Sequence, residues 1–191
     1  MTKIKITTVA AMALMIGCSG CSATVQDVQV APTSTSSFNE EIGAGGYRGA
    51  YMTTHNGEKL QIGEWIYWYS NGQKKLRAYY KLGTPHGRWM MWDEAGTLRL
   101  EGSYRLGRGV GIWIAYFDSG QKQHEGYFSN DVEVGQWTFW YYNGNKRMEG
   151  NFRYGEFHGD WAFYTPDGKI AFIANYKNGR LIDRRHSIGD Q

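Results

Sequence analysis

A Gly-x-Trp triplet recurs in this chain at an interval of 24 residues. The copies begin at Gly63, Gly87, Gly111, Gly135 and Gly159 and carry Trp65, Trp89, Trp113, Trp137 and Trp161. Five copies without a slip mean that one small unit has been duplicated and stacked into a repeat array. The period dictates an architecture and carries no chemistry of its own.

Composition decides what kind of unit is repeated. Aromatic residues make up 16% of the 191 residues, with 26 Gly and three Pro. Strands joined by glycine turns fit that mixture, and a helical bundle does not. Each unit reads as two short strands. The first covers Gly63 to Tyr69 and ends at a turn with Gly at a fixed place: Gly72, Gly96, Gly120, Gly144 and Gly168. Asn71-Gly72, Asn143-Gly144 and Asp167-Gly168 are two-residue hairpin signals, in which both central residues take positive φ. The second strand covers about Lys74 to Lys81. A longer loop follows, carrying Gly83, Gly107, Gly155 and Gly179, with Asp131 in the remaining unit.

A two-residue turn at Asn71-Gly72 sets Trp65 opposite Ala78 and Gly63 opposite Tyr80 by arithmetic. The equivalents of Ala78 are Gly102, Gly126, Gly150 and Ala174, all small, which leaves room for an indole over the sheet. The equivalents of Tyr80 are Tyr104, Phe128, Phe152 and Tyr176, each aromatic and opposite a Gly. One face is therefore expected to be an apolar spine. The other carries a column of Trp68, Trp92, Tyr116, Trp140 and Tyr164, next to Lys75, Arg99 and Arg147 and sharing its face with Glu101, Glu125 and Glu149. No helical pattern could cover the sheet, and an isolated hairpin is marginal in water. The expected fold is all-β: an extended, twisted, single-layer antiparallel meander of tandem 24-residue hairpins.

The N-terminus reads as a targeting segment. Lys3 and Lys5 precede an apolar stretch, Ile6 to Ile16, that is too short to span a bilayer but suits a signal peptide. It runs into Met15-Ile16-Gly17-Cys18, which resembles a bacterial lipobox with Cys18 as the acylated residue; Cys21 is the alternative. The expected organisation is a lipoprotein signal peptide over 1–17, a flexible tether over 18–46, the array over 47–183 and a polar tail over 184–191. Tyr47 to Ile62 is a degenerate first unit. No cysteine follows Cys21, so disulfide and thiol chemistry are not expected in the array. Cleavage before Cys18 leaves 19 Lys and Arg against 18 Asp and Glu, about +1, and no basic patch points to nucleic acid.

The segment Gly63-Glu64-Trp65-Ile66-Tyr67-Trp68-Tyr69-Ser70-Asn71-Gly72 and its four copies resemble the MORN repeat, in its bacterial variant. The resemblance covers about 120 residues. It implies a β-hairpin array that serves as a platform for proteins or, in some members, lipids. Some bacterial relatives are of antitoxin type, a setting from which an exported, lipidated chain departs. The family brings no common catalytic residues.

The residues themselves suggest no reaction. His86 and His158 share a repeat position but lie three units apart, roughly 29 Å by strand spacing, too far to share a metal ion. Glu101, Glu125 and Glu149 occupy equivalent positions, whereas a general acid and base need different environments. No nucleophile motif, phosphate loop or dinucleotide fingerprint appears, and no cofactor or metal is expected. The expected function is a non-enzymatic scaffold for protein partners, lipid-anchored in the bacterial envelope. With Ser19 after the cysteine, its place is the outer membrane facing the periplasm if the host is Gram-negative. The alternative is a binding module for cell-wall glycan or lipid headgroups, using the Trp68 column as an exposed aromatic patch.

Overall fold

The computed structural model describes residues 37–41 and 45–186, and within them the chain is all strand and turn. In chain order the strands are β1 (Ser37–Glu41), β2 (Tyr47–Thr53), β3 (Lys59–Trp68), β4 (Lys74–Lys81), β5 (Thr84–Pro85), β6 (Gly87–Trp92) and β7 (Leu98–Arg105). They continue with β8 (Arg108–Tyr116), β9 (Lys122–Ser129), β10 (Val132–Trp140), β11 (Lys146–Arg153), β12 (Glu156–Tyr164), β13 (Ile170–Lys177) and β14 (Arg180–His186). β5 and β6 both pair with β4 and are two stretches of one strand, interrupted at His86. The result is one open antiparallel sheet whose strands neighbour each other in chain order.

The predicted register holds: Trp65 pairs with Ala78 and Gly63 with Tyr80. The reason differs from the sequence argument. The Asn71-Gly72 turn is a three-residue loop. The Tyr69 N–H donates to the Gln73 carbonyl at 2.8 Å and the Gly72 N–H to the Tyr69 carbonyl at 3.0 Å. Only Gly72 takes a positive φ, of 83°. That loop is one residue longer than assumed. Between Tyr67 and Trp68 the ladder then slips by one, because Tyr67 pairs with Leu76 and Trp68 with Lys74, leaving Lys75 as an extra bulge residue. The two offsets have opposite sign and cancel.

The tight two-residue turn lies at the other end of the strands, where a longer loop was expected. Lys81 pairs with Thr84 across Leu82-Gly83, and Arg105 with Arg108 across Leu106-Gly107. Leu82 and Gly83 take φ of 50° and 75°, the pattern of a hairpin turn whose twist matches the flanking strands.

The Gly-x-Trp motif is a second bulge, between units. Ser103 pairs with Val110 and Glu101 with Ile114, so Gly102 alone faces Gly111, Ile112 and Trp113. Gly111 takes a φ of 74°, yet a β-carbon there would touch nothing within 4 Å. Glycine is needed at that position for its backbone conformation. The expected "large faces small" logic at the Gly63–Tyr80 position is therefore replaced by a torsional one. The bulge tips each indole onto the small residue of the preceding unit. A β-carbon at Gly102 would collide with the Trp113 ring, and one at Gly150 with Trp161. The expectation had placed the indole beside the small residue of its own hairpin; it crosses the boundary instead.

This crossing locks the repeats together. Trp65, Trp113, Trp137 and Trp161 are all but fully buried, although only one layer of sheet is present. Edge-to-face contacts run from Trp113 to Phe128, Trp137, Phe152 and Trp161, with centroids 5.1–6.2 Å apart. Quadrupole-favoured geometry thus adds to area burial along a continuous apolar spine.

The ends differ from the expected boundaries. β1 lies within the segment 18–46 that was read as tether, and pairs with β2. β14 runs to His186, past the expected end at 183. It stands where a sixth unit would begin, with Asp183 in place of the Gly and Arg185 in place of the Trp. Among the described residues β14 is an edge strand, where Arg180, Asp183, Arg184 and Arg185 discourage further edge pairing. Cys18, Cys21 and the signal segment lie outside the described residues.

Candidate functional site: the polar aromatic face

Bulges decide which side chains reach the face opposite the spine. Lys75, Arg99 and Arg147 were expected beside the Trp68 column. Each is a bulge residue and turns to the spine side with its successor. The Lys75 ammonium sits 5.4 Å from the Tyr69 ring centre and the Arg147 guanidinium 5.8 Å from that of buried Phe139. Arg99 pairs with Asp93 at 3.3 Å.

Glu101, Glu125 and Glu149 do share the face of the Trp68 column, with other partners. Glu101 pairs with Arg88 at 2.8 Å, Glu125 with Lys122 at 2.6 Å and Glu149 with Lys146 at 2.8 Å. Two tyrosines of the column are tied to the preceding unit. Tyr116 donates its hydroxyl to Glu101 at 2.7 Å, and Tyr164 donates to Glu149 at 2.6 Å. The Lys122 ammonium lies 5.7 Å from the Trp140 ring centre.

The electrostatics follow from these contacts. Burial opposes ionisation of Glu101, but the hydrogen bonds from Arg88 and Tyr116 outweigh it and hold the carboxyl below its ordinary value. Glu149 has the same balance, through Lys146 and Tyr164. The Tyr116 hydroxyl is pushed up to about 12, by burial first and then by its bond to Glu101. Tyr164 is pushed to about 12 as well, chiefly by its bond to Glu149. At neutral pH the carboxylates are ionised acceptors and the phenols neutral donors. Both glutamates are driven in the same direction, so the site does not split them into acid and base.

Trp68, Trp92, Tyr116, Trp140 and Tyr164 are each half-buried, and none is fully exposed as the sequence reading supposed. Two apolar residues of this face stand well out in water: Ile112, exposed at 62%, and Tyr127, at 48%. They are directly paired across β8 and β9. Sequence reasoning missed them. The signal lay in the middle of the Gly-x-Trp triplets, where Glu64, Arg88, Gln136 and Asp160 are polar and Ile112 is not. The same face holds an open depression of about 350 Å³ lined by Arg77, Tyr79, Gly87, Arg88 and Met90. Arg77 and the Tyr79 hydroxyl both bond Glu64 there.

Two of the histidines serve local structure. His86 Nδ1 accepts the Leu106 N–H at 3.4 Å. His124 is a core residue, buried against Trp137 and Phe139. Among the described residues no group of three His, Cys, Asp or Glu converges as a metal site.

Fold and face together define a tandem β-hairpin repeat protein. A family model described as the MORN repeat variant matches residues 61–82, 85–105, 133–154 and 157–178, so the chain carries MORN repeats of about 24 residues. Such repeats are generally protein- or membrane-binding modules. The unit between the second and third matches has the same register, with Trp113 opposite Gly126 and Tyr116 opposite Lys122, and is a fifth copy by geometry. A search of curated proteins gave no match to the chain.

Proposed function

We propose that this protein is a non-enzymatic scaffold, lipid-anchored through Cys18 in the bacterial cell envelope, that docks a partner protein on its polar aromatic face. The observation that carries the reading is the Ile112–Tyr127 pair. Two large apolar side chains stand side by side in water on a face where Glu101, Glu125 and Glu149 are already paired with Arg88, Lys122 and Lys146. Internally neutralised charges offer little to an anionic polymer, while an apolar centre with a polar rim suits a protein partner. The aromatic column behind the pair supports it by stiffening the sheet through Tyr116 and Tyr164.

In-cell crosslinking with mass spectrometry tests this, comparing the native chain with an Ile112→Ser, Tyr127→Ser variant of unchanged thermal stability. Loss of one abundant partner is the expected result. Identical neighbours in both samples would reject the face as a protein dock and move the reading to glycan or lipid headgroups. Lipid attachment has its own test: Cys18→Ala should abolish incorporation of radiolabelled lipid, and persistent labelling would reassign the anchor to Cys21.

A further inference from the structure

The repeat supplies its own control, because a residue that departs from the pattern is not demanded by the fold the units share. Three units place a glutamate, Glu101, Glu125 or Glu149, at the position that Arg77 holds in the Trp65 unit. Arg88 stands in the middle of its Gly-x-Trp triplet, where the other units carry Glu64, Ile112, Gln136 and Asp160. Both departures put an arginine on the polar aromatic face. Both arginines line the open depression of about 350 Å³, together with Tyr79, Gly87 and Met90.

The backbone differs at this boundary too. Between the Trp89 and Trp113 units the ladder includes Ser103–Val110. Between the Trp65 and Trp89 units it stops at Tyr80–Pro85 and resumes at Arg77–Met90. Tyr79 and His86, in the positions of Ser103 and Val110, are joined by the His86 N–H to the Tyr79 carbonyl at 2.7 Å. Gly87 takes a φ of 94°, against 66–74° for the other four motif glycines. A β-carbon on Gly87 would meet that of Tyr79 at 3.2 Å, whereas one on Gly63, Gly111, Gly135 or Gly159 would meet nothing within 4 Å. Tyr79 thus leans on bare backbone in the lining of the hollow.

Donors remain after the internal bonds are made. Arg77 gives Nε–H to Glu64 at 2.6 Å and Nη2–H to the Tyr79 hydroxyl at 3.3 Å; Arg88 gives Nη2–H to Glu101 at 2.8 Å. Among the described residues, Arg77 Nη1 and Arg88 Nε and Nη1 have no acceptor, and the two side chains are exposed at 43% and 63%. Glu64 is held below its ordinary value by the Tyr79 hydroxyl first, then by Arg77 and by the charge of exposed Arg48. Two ionised glutamates, Glu64 and Glu101, are therefore set against three arginines, a surplus of one positive charge. A guanidinium fork with free N–H groups takes a carboxylate or a phosphate. Glu101, Glu125 and Glu149 follow along the same face and oppose a polyanion or an anionic bilayer laid across several units. A single carboxylate needs to engage this one boundary only, and Met90 offers its methylene stem an apolar contact. Arg88 and Ile112 hold the same position in successive units, roughly 10 Å apart by strand spacing, so one segment can reach both.

We propose that this hollow is a carboxylate-binding subsite, in which Arg77 and Arg88 receive one Asp or Glu side chain of the protein that docks on the Ile112–Tyr127 pair. The source of the carboxylate rests on the scaffold reading; the subsite itself does not.

The full chain carrying Cys18→Ser and Cys21→Ser tests the subsite without a partner. Arginine Nε–Hε resonances are followed by NMR during titration with acetyl-Ala-Glu-Ala-amide, with its glutamine analogue and with inorganic phosphate. Arg77 and Arg88 should shift saturably with the glutamate peptide and not with the glutamine one. Arg99, paired with Asp93 on the opposite face, should stay in place. No saturable shift, an equal response to the glutamine peptide, or tighter binding of phosphate overturns the proposal. Arg88→Gln should weaken the glutamate peptide about tenfold, as for one charge-assisted hydrogen bond, with Tm unchanged. Unaltered affinity overturns it too. In cells, Arg88→Gln should also lower the crosslinked yield of the partner that depends on Ile112 and Tyr127. An undiminished yield rejects the acidic partner. Identical neighbours in the Ile112→Ser, Tyr127→Ser variant would instead reject the scaffold reading, and with it the source of the carboxylate, while the titration still decides the subsite.

Discussion

The indole of Trp137 rests on Gly126 across the boundary between two repeats, so closely that a β-carbon on Gly126 would clash with the ring. Gly126 pairs in register with both Trp113 and Trp137, but the Trp113 ring is carried away onto Gly102. Gly126→Ala therefore intrudes on one indole only. The neighbours of Trp137 are the rings of Phe128, Phe139 and Phe152, which leave it little room to retreat. A loss of about 1–3 kcal/mol is expected, as for overpacking of a tight core. Urea unfolding measures it, and an undiminished midpoint would mean that the ring does not sit on that glycine.

Gly111 makes the opposite case. A side chain there has room, and the φ of 74° is the whole objection. Gly111→Ala is expected to cost about 1 kcal/mol, from the left-handed backbone alone, and Gly111→Asn less. The ordering Gly126→Ala worse than Gly111→Ala worse than Gly111→Asn separates space from torsion. Equal losses at the two alanines would show that Gly111 is small for packing.

These two glycines show what the sequence made readable. The period, the hairpin unit and the Trp65–Ala78 register were legible because they depend on counting and on size. Turn type was not, because Asn71-Gly72 serves a two-residue turn and a three-residue loop equally well, and a compensating bulge at Lys75 hides the difference from arithmetic. The same bulge sent Lys75, Arg99 and Arg147 to the other face, which no strict alternation could foresee. The Trp68 column was located on the correct face, but its exposure was overread, since burial depends on neighbours such as Glu101 and Lys122 whose rotamers carry no sequence signal.

His124 should make the array sensitive to mild acid. Burial against Trp137 and Phe139, and then the nearby Arg147 charge, push its imidazole down to about 4. Between that value and the ordinary 6.5, the unfolded chain binds a proton that the folded chain refuses. Stability therefore rises with pH through this window and is lost as pH falls. A shift of this size corresponds to about 3 kcal/mol over the full window. Most of it should be lost above pH 4.5. His124→Phe keeps an aromatic ring in place and should flatten the profile between pH 6.5 and 4.5. A variant with the same slope as the native chain would place the titration elsewhere.

Exchange of tip residues between units provides the last prediction. Leu106 and Asn130 hold equivalent positions with φ of 50° and 51°, so the backbone asks the same of both. Leu106 has most of its side chain in water and little packing to lose. Leu106→Asn should therefore raise stability by about 0.5–1 kcal/mol, and Asn130→Leu should lower it by a similar amount. Tyr154→Asn should gain less, because the Arg153 guanidinium beside the ring gives up a favourable contact. Thermal unfolding of the three single variants checks the order. A destabilised Leu106→Asn would mean that leucine contributes to the fold at this turn. A stabilised one would mean that the native chain holds an apolar residue on its rim at the expense of its own stability.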